Sequence, residues 1–169
     1  MPQLSHRILL TGLAVVGAAA PAFADKVEVS VTVPQLGVAE YHRPYVAIWL
    51  EQPDQPAIKT LAVWYDYDNR ENGGTKWLRD LRSWWRAGGR DAAKPAEALT
   101  GATRAPGPQK AQFDAGALKP GVYTLKVEAV REDGGRELVS LPLTYDGKSA
   151  TANAAGKEEL GAISATIKP

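Results

Sequence analysis

The sequence predicts a mainly β protein: a single immunoglobulin-like β-sandwich of about eight strands with one inserted amphipathic helix. Short segments of alternating apolar and polar residues recur along most of the chain, separated by turns rich in Gly, Pro, Asp and Asn. The segment from Thr75 to Ala87 instead carries apolar residues at helical spacing. No internal repeat or linker divides the chain, so one sandwich accounts for it, with a helix-loop insertion at 75–107.

Residues 1–24 are predicted to be a signal peptide that is removed on export. A short basic start at Arg7 is followed by an apolar run over residues 8–20, and Ala22-Phe23-Ala24 has the small-x-small cleavage pattern. The apolar run is shorter than the roughly 20 residues that span a bilayer. We therefore expect cleavage after Ala24 and a soluble periplasmic domain over 25–169 that does not itself span the membrane.

The first predicted strand is half-buried, and the next two are covered on both faces. Four valines at every second position, from Val27 to Val33, alternate with polar residues until Pro34 ends the pattern. The segments 43–51 and 58–65 carry apolar residues on both faces, which is typical of central strands.

The predicted helix has an apolar stripe and a mostly cationic opposite face. The stripe comprises Trp77, Leu78, Leu81, Trp84 and Trp85. Gly88-Gly89 follows and is suited to end a helix. Two interpretations remain open: the tryptophans cover the sheet, or Trp84 or Trp85 contributes to a ligand pocket with Arg82 or Arg86.

The late strands begin at a turn typical of immunoglobulin-like domains. Pro120-Gly121 sets a tight turn, and Tyr123 is placed so that its hydroxyl can hold the corner. The turn at 133–135 leads into a hairpin partner over 137–145, where Pro142 indicates an edge strand or a bulge. Segments near 150–154 and 160–167 complete the predicted sandwich.

Composition excludes several classes of function. The 20 Lys and Arg residues nearly balance the 19 Asp and Glu residues, which gives no reason to expect a nucleic acid partner. Cysteine is absent, and His42 is the only histidine after export, so disulfides, iron–sulfur clusters, blue copper and catalytic zinc are excluded. Around Asp68 a calcium loop would place Arg79 at its acidic twelfth position. We predict no metal site and no catalytic residues.

Residues 97–103, Glu-Ala-Leu-Thr-Gly-Ala-Thr, resemble the acid-x-x-Ser/Thr-Gly-Ala-Thr/Ser signature of proteins that carry covalent FMN. Examples are the flavin subunits of sodium-pumping quinone reductases and of Rnf-type complexes. In those families a flavin transferase joins the FMN phosphate to the hydroxyl of the last Thr or Ser. The resemblance implies attachment through a phosphoester to Thr103.

A wider resemblance covers most of the mature chain. Residues 43–50, the Trp-Leu-Arg-Asp-Leu-Arg-x-Trp-Trp segment at 77–85, and residues 100–107 resemble the predicted periplasmic family called domain of unknown function 2271. Its members are associated with membrane proteins implicated in electron transfer and iron acquisition. The resemblance implies an exported electron-transfer module that works with a membrane-embedded reductase.

The predicted flavin-binding residues surround this motif. Arg suits phosphate recognition because its planar guanidinium makes paired hydrogen bonds, and an indole can stack on the flavin rings. The set comprises Thr103, Thr100, Gly101, Ala102, Arg104, Trp85 and Arg82. The alternative is a non-catalytic binding or adaptor module that holds a protein or carbohydrate through the tryptophan-rich surface. A stand-alone enzyme is the least favoured interpretation.

Overall fold

The structure, a computed structural model, describes residues 24–68, 70–91 and 100–169. It contains two packed β-sheets and one helical segment, which confirms the predicted mainly β sandwich. The strands are β1 (Asp25–Val33), β2 (Tyr45–Gln52), β3 (Gln55–Trp64), β4 (Thr100–Gly101), β5 (Gly107–Gly116), β6 (Gly121–Val130), β7 (Arg136–Tyr145), β8 (Ala150–Ala155) and β9 (Ala162–Lys168). The predicted signal peptide, up to residue 23, and Glu97 lie outside the described residues.

The two sheets have the strand orders β5-β1-β9-β8 and β4-β3-β2-β6-β7. Their described pairings are antiparallel except the short parallel pairing of β3 with β4. Pro142 lies on β7 at an edge of the five-stranded sheet, as predicted. β5 is ten residues long and pairs with β1 at one edge of the four-stranded sheet.

Apolar side chains fill the space between the sheets and also cover the outer face of the five-stranded sheet. The valines of β1 are buried at every second position, as predicted. β2 and β3 are apolar on both faces because one face joins the main core while the other meets the helical segment. The outer cluster comprises Ala47, Trp49, Val63, Tyr65, Leu78, Leu81 and Trp84.

The segment 70–89, which we call the helical layer, differs in form from the predicted single helix. A 3₁₀-helix (Arg70–Asp80) is followed by one α-helical turn (Arg82–Trp84) and a π-helical turn (Trp85–Gly89). Because 3₁₀ and π turns rotate side chains differently from an α-helix, the predicted stripe is only partly correct. Trp77 is 53% exposed, whereas Trp84 is fully buried.

A buried carboxylate joins the helical layer to the sheet. Glu128 of β6 has no exposed surface. Its oxygens accept hydrogen bonds from the backbone N–H groups of Ser83, at 3.0 and 3.1 Å, and of Trp84, at 2.9 Å. The guanidinium of Arg136 donates to the same carboxylate at 2.6 Å and to the Ser83 hydroxyl at 2.7 Å. The buried charge is therefore paired and hydrogen-bonded, as burial requires.

Two tyrosine hydroxyls hold one end of the sandwich. Tyr123 donates to the carbonyl of Lys119 at 2.7 Å, which confirms the predicted corner. Tyr145 donates to the buried carboxylate of Asp25 at 2.6 Å, and this hydrogen bond raises the pKa of Tyr145 to about 12.

In the described part of the chain, no helix combines the length and apolar character needed to cross a bilayer.

Candidate functional site

The Thr-Gly-Ala-Thr motif begins at the edge of one sheet and leads to the other. Thr100 and Gly101 pair in parallel with Val63 and Trp64 at the end of β3. Residues 102–106 then connect to Gly107, where β5 begins in the four-stranded sheet. We call residues 100–106 the seam segment, because they cross between the edges of the two sheets.

The seam segment is hydrogen-bonded near both of its ends, and its described residues are exposed or half-buried. The carbonyl of Gly101 accepts a hydrogen bond from the N–H of Tyr65 at 3.0 Å. Thr103 is half-buried, and its neighbours Ala102 and Arg104 are exposed. A short connection with exposed neighbours leaves the Thr103 position open to approach from outside the sandwich.

Arg104 lies over the indole of Trp64. Its guanidinium carbon is 5.1 Å from the ring centroid, within the range of a cation–π interaction. Trp64 is only 3% exposed and belongs to the core between the sheets. Gly101 lies against the same ring, since a Cβ built on it would be 3.5 Å from Cδ1 of Trp64. The structure therefore brings together Gly101 and Arg104, from the predicted set, with an indole that sequence reasoning missed.

The other predicted residues, Trp85 and Arg82, lie in the helical layer. Trp85 is half-buried and packs edge-on against Trp84, with ring centroids 6.3 Å apart, and Arg82 is exposed. Trp84 donates from its indole N–H to the Thr60 hydroxyl at 3.0 Å, so it covers the sheet and lines no pocket. This layer covers the outer face of the sheet, whereas Trp64 faces the inner core.

Trp64 could have been found only in part from the sequence. Alternation along β3 places Trp64 on the face opposite Val63 and Tyr65, a pattern visible in the residues themselves. Trp64 lies beside the motif because the end of β3 pairs in parallel with Thr100-Gly101. A pairing of two residues is too short to produce a periodic pattern in the sequence. The side chain of Thr100 lies outside the described residues.

A cleft of about 270 Å³ lies between the helical layer and the β6–β7 turn. Tyr45 at the start of β2 pairs with Val130 at the end of β6, so these strand ends meet at one end of the sheet. Among the described residues, the cleft is lined by Arg43, Tyr45, Trp77, Asp80, Val130, Arg131, Glu132 and Asp133.

The charged groups of this cleft differ in how they are paired. Arg131 donates to both oxygens of the buried Glu159 carboxylate, at 2.9 and 3.0 Å, and these hydrogen bonds raise its pKa. The exposed carboxylate of Glu132 lies 3.7 Å from Nδ1 of His42. Asp80 and Asp133 form no ion pair within the part of the chain that the structure describes. The cleft therefore combines two aromatic rings with an excess of carboxylates.

Comparison with known protein families gives a match over most of the chain. A family model described as a predicted periplasmic protein (DUF2271) matches residues 26–162. No curated protein and no solved structure matches the chain.

Proposed function

We propose that this chain, which belongs to the DUF2271 family of predicted periplasmic proteins, is an exported flavin carrier with FMN joined through a phosphoester to Thr103. It would transfer electrons with a membrane-embedded redox partner, such as one that serves iron acquisition. The observation that carries the proposal is the position of Thr103: half-buried on the seam segment, between exposed residues and next to the Arg104–Trp64 stack.

The residues of the seam segment fit the group. A hydroxyl that another enzyme must modify needs a connection that leaves it approachable, and the small Gly101 and Ala102 keep the approach open. Arg104 is exposed and forms no ion pair within the described residues, so its guanidinium is available to a phosphate. An edge connection also lets the modifying enzyme dock without disturbing the core.

The attachment reaction needs an activated donor. Joining free FMN to a hydroxyl would release water and is unfavourable in water, so we assign a flavin dinucleotide as the donor. The oxygen of Thr103 attacks the phosphorus on the FMN side and the P–O–P bond breaks. A nucleoside monophosphate leaves, and the hydroxyl proton passes to a base of the transferase. The carrier therefore needs no base of its own at this position.

Bound FMN would supply the one- and two-electron chemistry, and the chain would supply position and electrostatics. Arg104 would hold the phosphate, and its movement away from Trp64 would uncover an indole next to the attachment residue. The roles of Trp85 and Arg82 in flavin binding stay predictions. Their place in the helical layer makes Trp64 the better candidate for stacking.

The direct test is co-expression of the exported chain with a flavin transferase. We expect a yellow protein whose mass corresponds to one added FMN, a colourless Thr103→Ala variant, and retained labelling in Thr103→Ser. Thr144→Ala is the matched control, because it removes an exposed hydroxyl from β7, at the sheet edge opposite β4, and should leave labelling intact. An unlabelled wild-type chain beside a transferase that modifies another substrate in the same cells would rule out the carrier function.

The exposed Trp77 and its cleft favour a second candidate, a periplasmic binding module for a protein or carbohydrate. The two functions use different parts of the molecule. A chain that stays free of flavin but binds a ligand at the cleft would support the binding module alone.

A further inference from the structure

Trp77 is exposed in the helical layer where neighbouring apolar residues are not. Leu78 and Leu81 are almost fully buried against the outer face of the sheet, whereas Trp77 is 53% exposed beside the cleft. Trp77 lines the cleft, and aromatic side chains are frequent in the linings of ligand sites. Tyr45 forms part of the same lining, supported edge-on by Tyr65 with ring centroids 6.1 Å apart.

The electrostatics of the cleft favour a positive ligand. Its lining contains three carboxylates, from Asp80, Glu132 and Asp133, and two guanidinium groups. Arg131 is neutralised by its buried pair with Glu159, which leaves Arg43 as the remaining lining cation. The lining is therefore acidic in sum, and the electron-rich faces of aromatic rings add to the attraction for a cation.

We propose that the cleft binds an organic cation, an ammonium or guanidinium group carried on a short apolar stem. The charged head would lie among the carboxylates while the stem packs on Trp77. The volume of about 270 Å³ lies just below the range of small-molecule pockets, which suits a group of side-chain size. The cation has two chemical sources, a free amine or a basic side chain of another protein. This proposal does not depend on flavin attachment.

The test is a titration followed by the indole N–H resonance of Trp77 in nitrogen–proton NMR spectra, assigned from its absence in Trp77→Phe. The probes are n-butylguanidinium and n-butylammonium, with methyl glucoside as a neutral ligand suited to aromatic platforms. We expect a saturable shift with both cations and none with the glucoside. Added salt should weaken binding, because the carboxylates are partly exposed.

Three variants connect binding to these residues. Asp133 has a positive φ of 50°, which asparagine also tolerates, so Asp133→Asn removes charge without a change of backbone. We expect it to weaken cation binding about 1.5-fold to fivefold, the range of an exposed ion pair. Trp77→Ala should weaken it at least about tenfold, as expected for loss of the apolar surface on which the stem packs. Asp54→Asn, which changes an exposed acid at the end of β2 opposite Tyr45, should change nothing.

Because Trp77→Ala removes the reporter resonance, its affinity is measured by calorimetry, with wild type measured in the same way. An intact thermal transition in this variant separates loss of binding from loss of fold. A blocked Ala-Arg-Ala peptide distinguishes the sources: binding at least about tenfold tighter than butylguanidinium assigns a protein partner, and equal or weaker binding assigns a free cation.

Three results would overturn the proposal. One is the absence of a saturable shift with either cation. Another is cation binding that Trp77→Ala and Asp133→Asn leave unchanged, which would place the site elsewhere. The third is binding of methyl glucoside in preference to the cations, which would assign the cleft to a carbohydrate.

Discussion

The helical layer and the seam segment lie close together in the sequence, yet the structure uses them differently. The helical layer is built into the fold: Trp84 is fully buried, and Glu128 binds two successive N–H groups of the layer. The seam segment is attached by a two-residue strand pairing and by Arg104, which lies on Trp64 from outside. One segment therefore extends the core, while the other joins the edges of the two sheets and presents an exposed guanidinium.

The largest expected effect is on the helical layer. Trp84→Ala removes a fully buried indole and its hydrogen bond to Thr60, and we expect the free energy of unfolding to fall by about 3–5 kcal/mol. Trp77→Ala, in the same layer but exposed, should change it by less than about 0.5 kcal/mol. Urea unfolding of both variants measures the difference. Equal losses would mean that the layer is not anchored through its buried face.

The next effect concerns the carboxylate beneath the layer. Glu128→Gln keeps the shape of the side chain but removes the charge that pairs with Arg136 and replaces one acceptor with a donor facing N–H groups. We expect a loss of about 2–4 kcal/mol in the free energy of unfolding. Glu158→Gln, at an exposed position, is the control. A loss below about 1 kcal/mol would show that the layer is held by its apolar contacts alone.

Local residue patterns predicted much of the frame of the sandwich. Strand alternation, the turn before Tyr123 and the edge position of Pro142 all follow from local chemistry, so they could be predicted without knowledge of the fold. Apolar residues on both faces of β2 also predicted that something covers the outer side. The role of Glu128 could not be predicted, because a charged residue at an outward-facing position of a strand such as β6 is usually exposed to solvent.

The helical layer shows where residue patterns become ambiguous. Gly88-Gly89 was predicted to end a helix, and the segment does end there, with Gly88 at a positive φ of 145°. Gly89 has a second role that no pattern reveals: a Cβ built on it would lie 2.5 Å from the Trp84 ring, so only glycine fits against that indole. Spacing alone assigned Trp77 and Trp84 to one stripe because it assumed α-helical geometry throughout.

The seam segment depends on contacts between residues distant in sequence. The motif Thr-Gly-Ala-Thr identified a candidate attachment residue, but the indole beside it comes from β3, about forty residues earlier in the sequence. The sequence favoured Trp85 because it lies in the same predicted insertion. Neighbours along the chain and neighbours in space differ here because β3 pairs with β4 at the sheet edge.

The smallest expected effect on stability is at the seam segment. It tests directly whether the seam segment contributes less to the free energy of unfolding than the helical layer does. Arg104→Ala should lower the free energy of unfolding by less than about 1 kcal/mol, as expected for an exposed cation–π contact. The same change uncovers Trp64, so its fluorescence emission should move to longer wavelength and acrylamide should quench it more strongly. The same two proteins are also measured with Trp64→Phe. Subtracting their spectra isolates the Trp64 fluorescence from that of the other tryptophans.

Arg86→Ala is the control, because that arginine is also exposed but hydrogen-bonds to the carbonyl of Arg82 within the helical layer. It should leave the Trp64 signal unchanged. If Arg104→Ala instead destabilised the chain by more than about 2 kcal/mol, beyond what an exposed contact contributes, the guanidinium would be a structural part of the sandwich. It would not be free to leave Trp64 for a phosphate, and the seam segment would resemble the helical layer in being required for the fold.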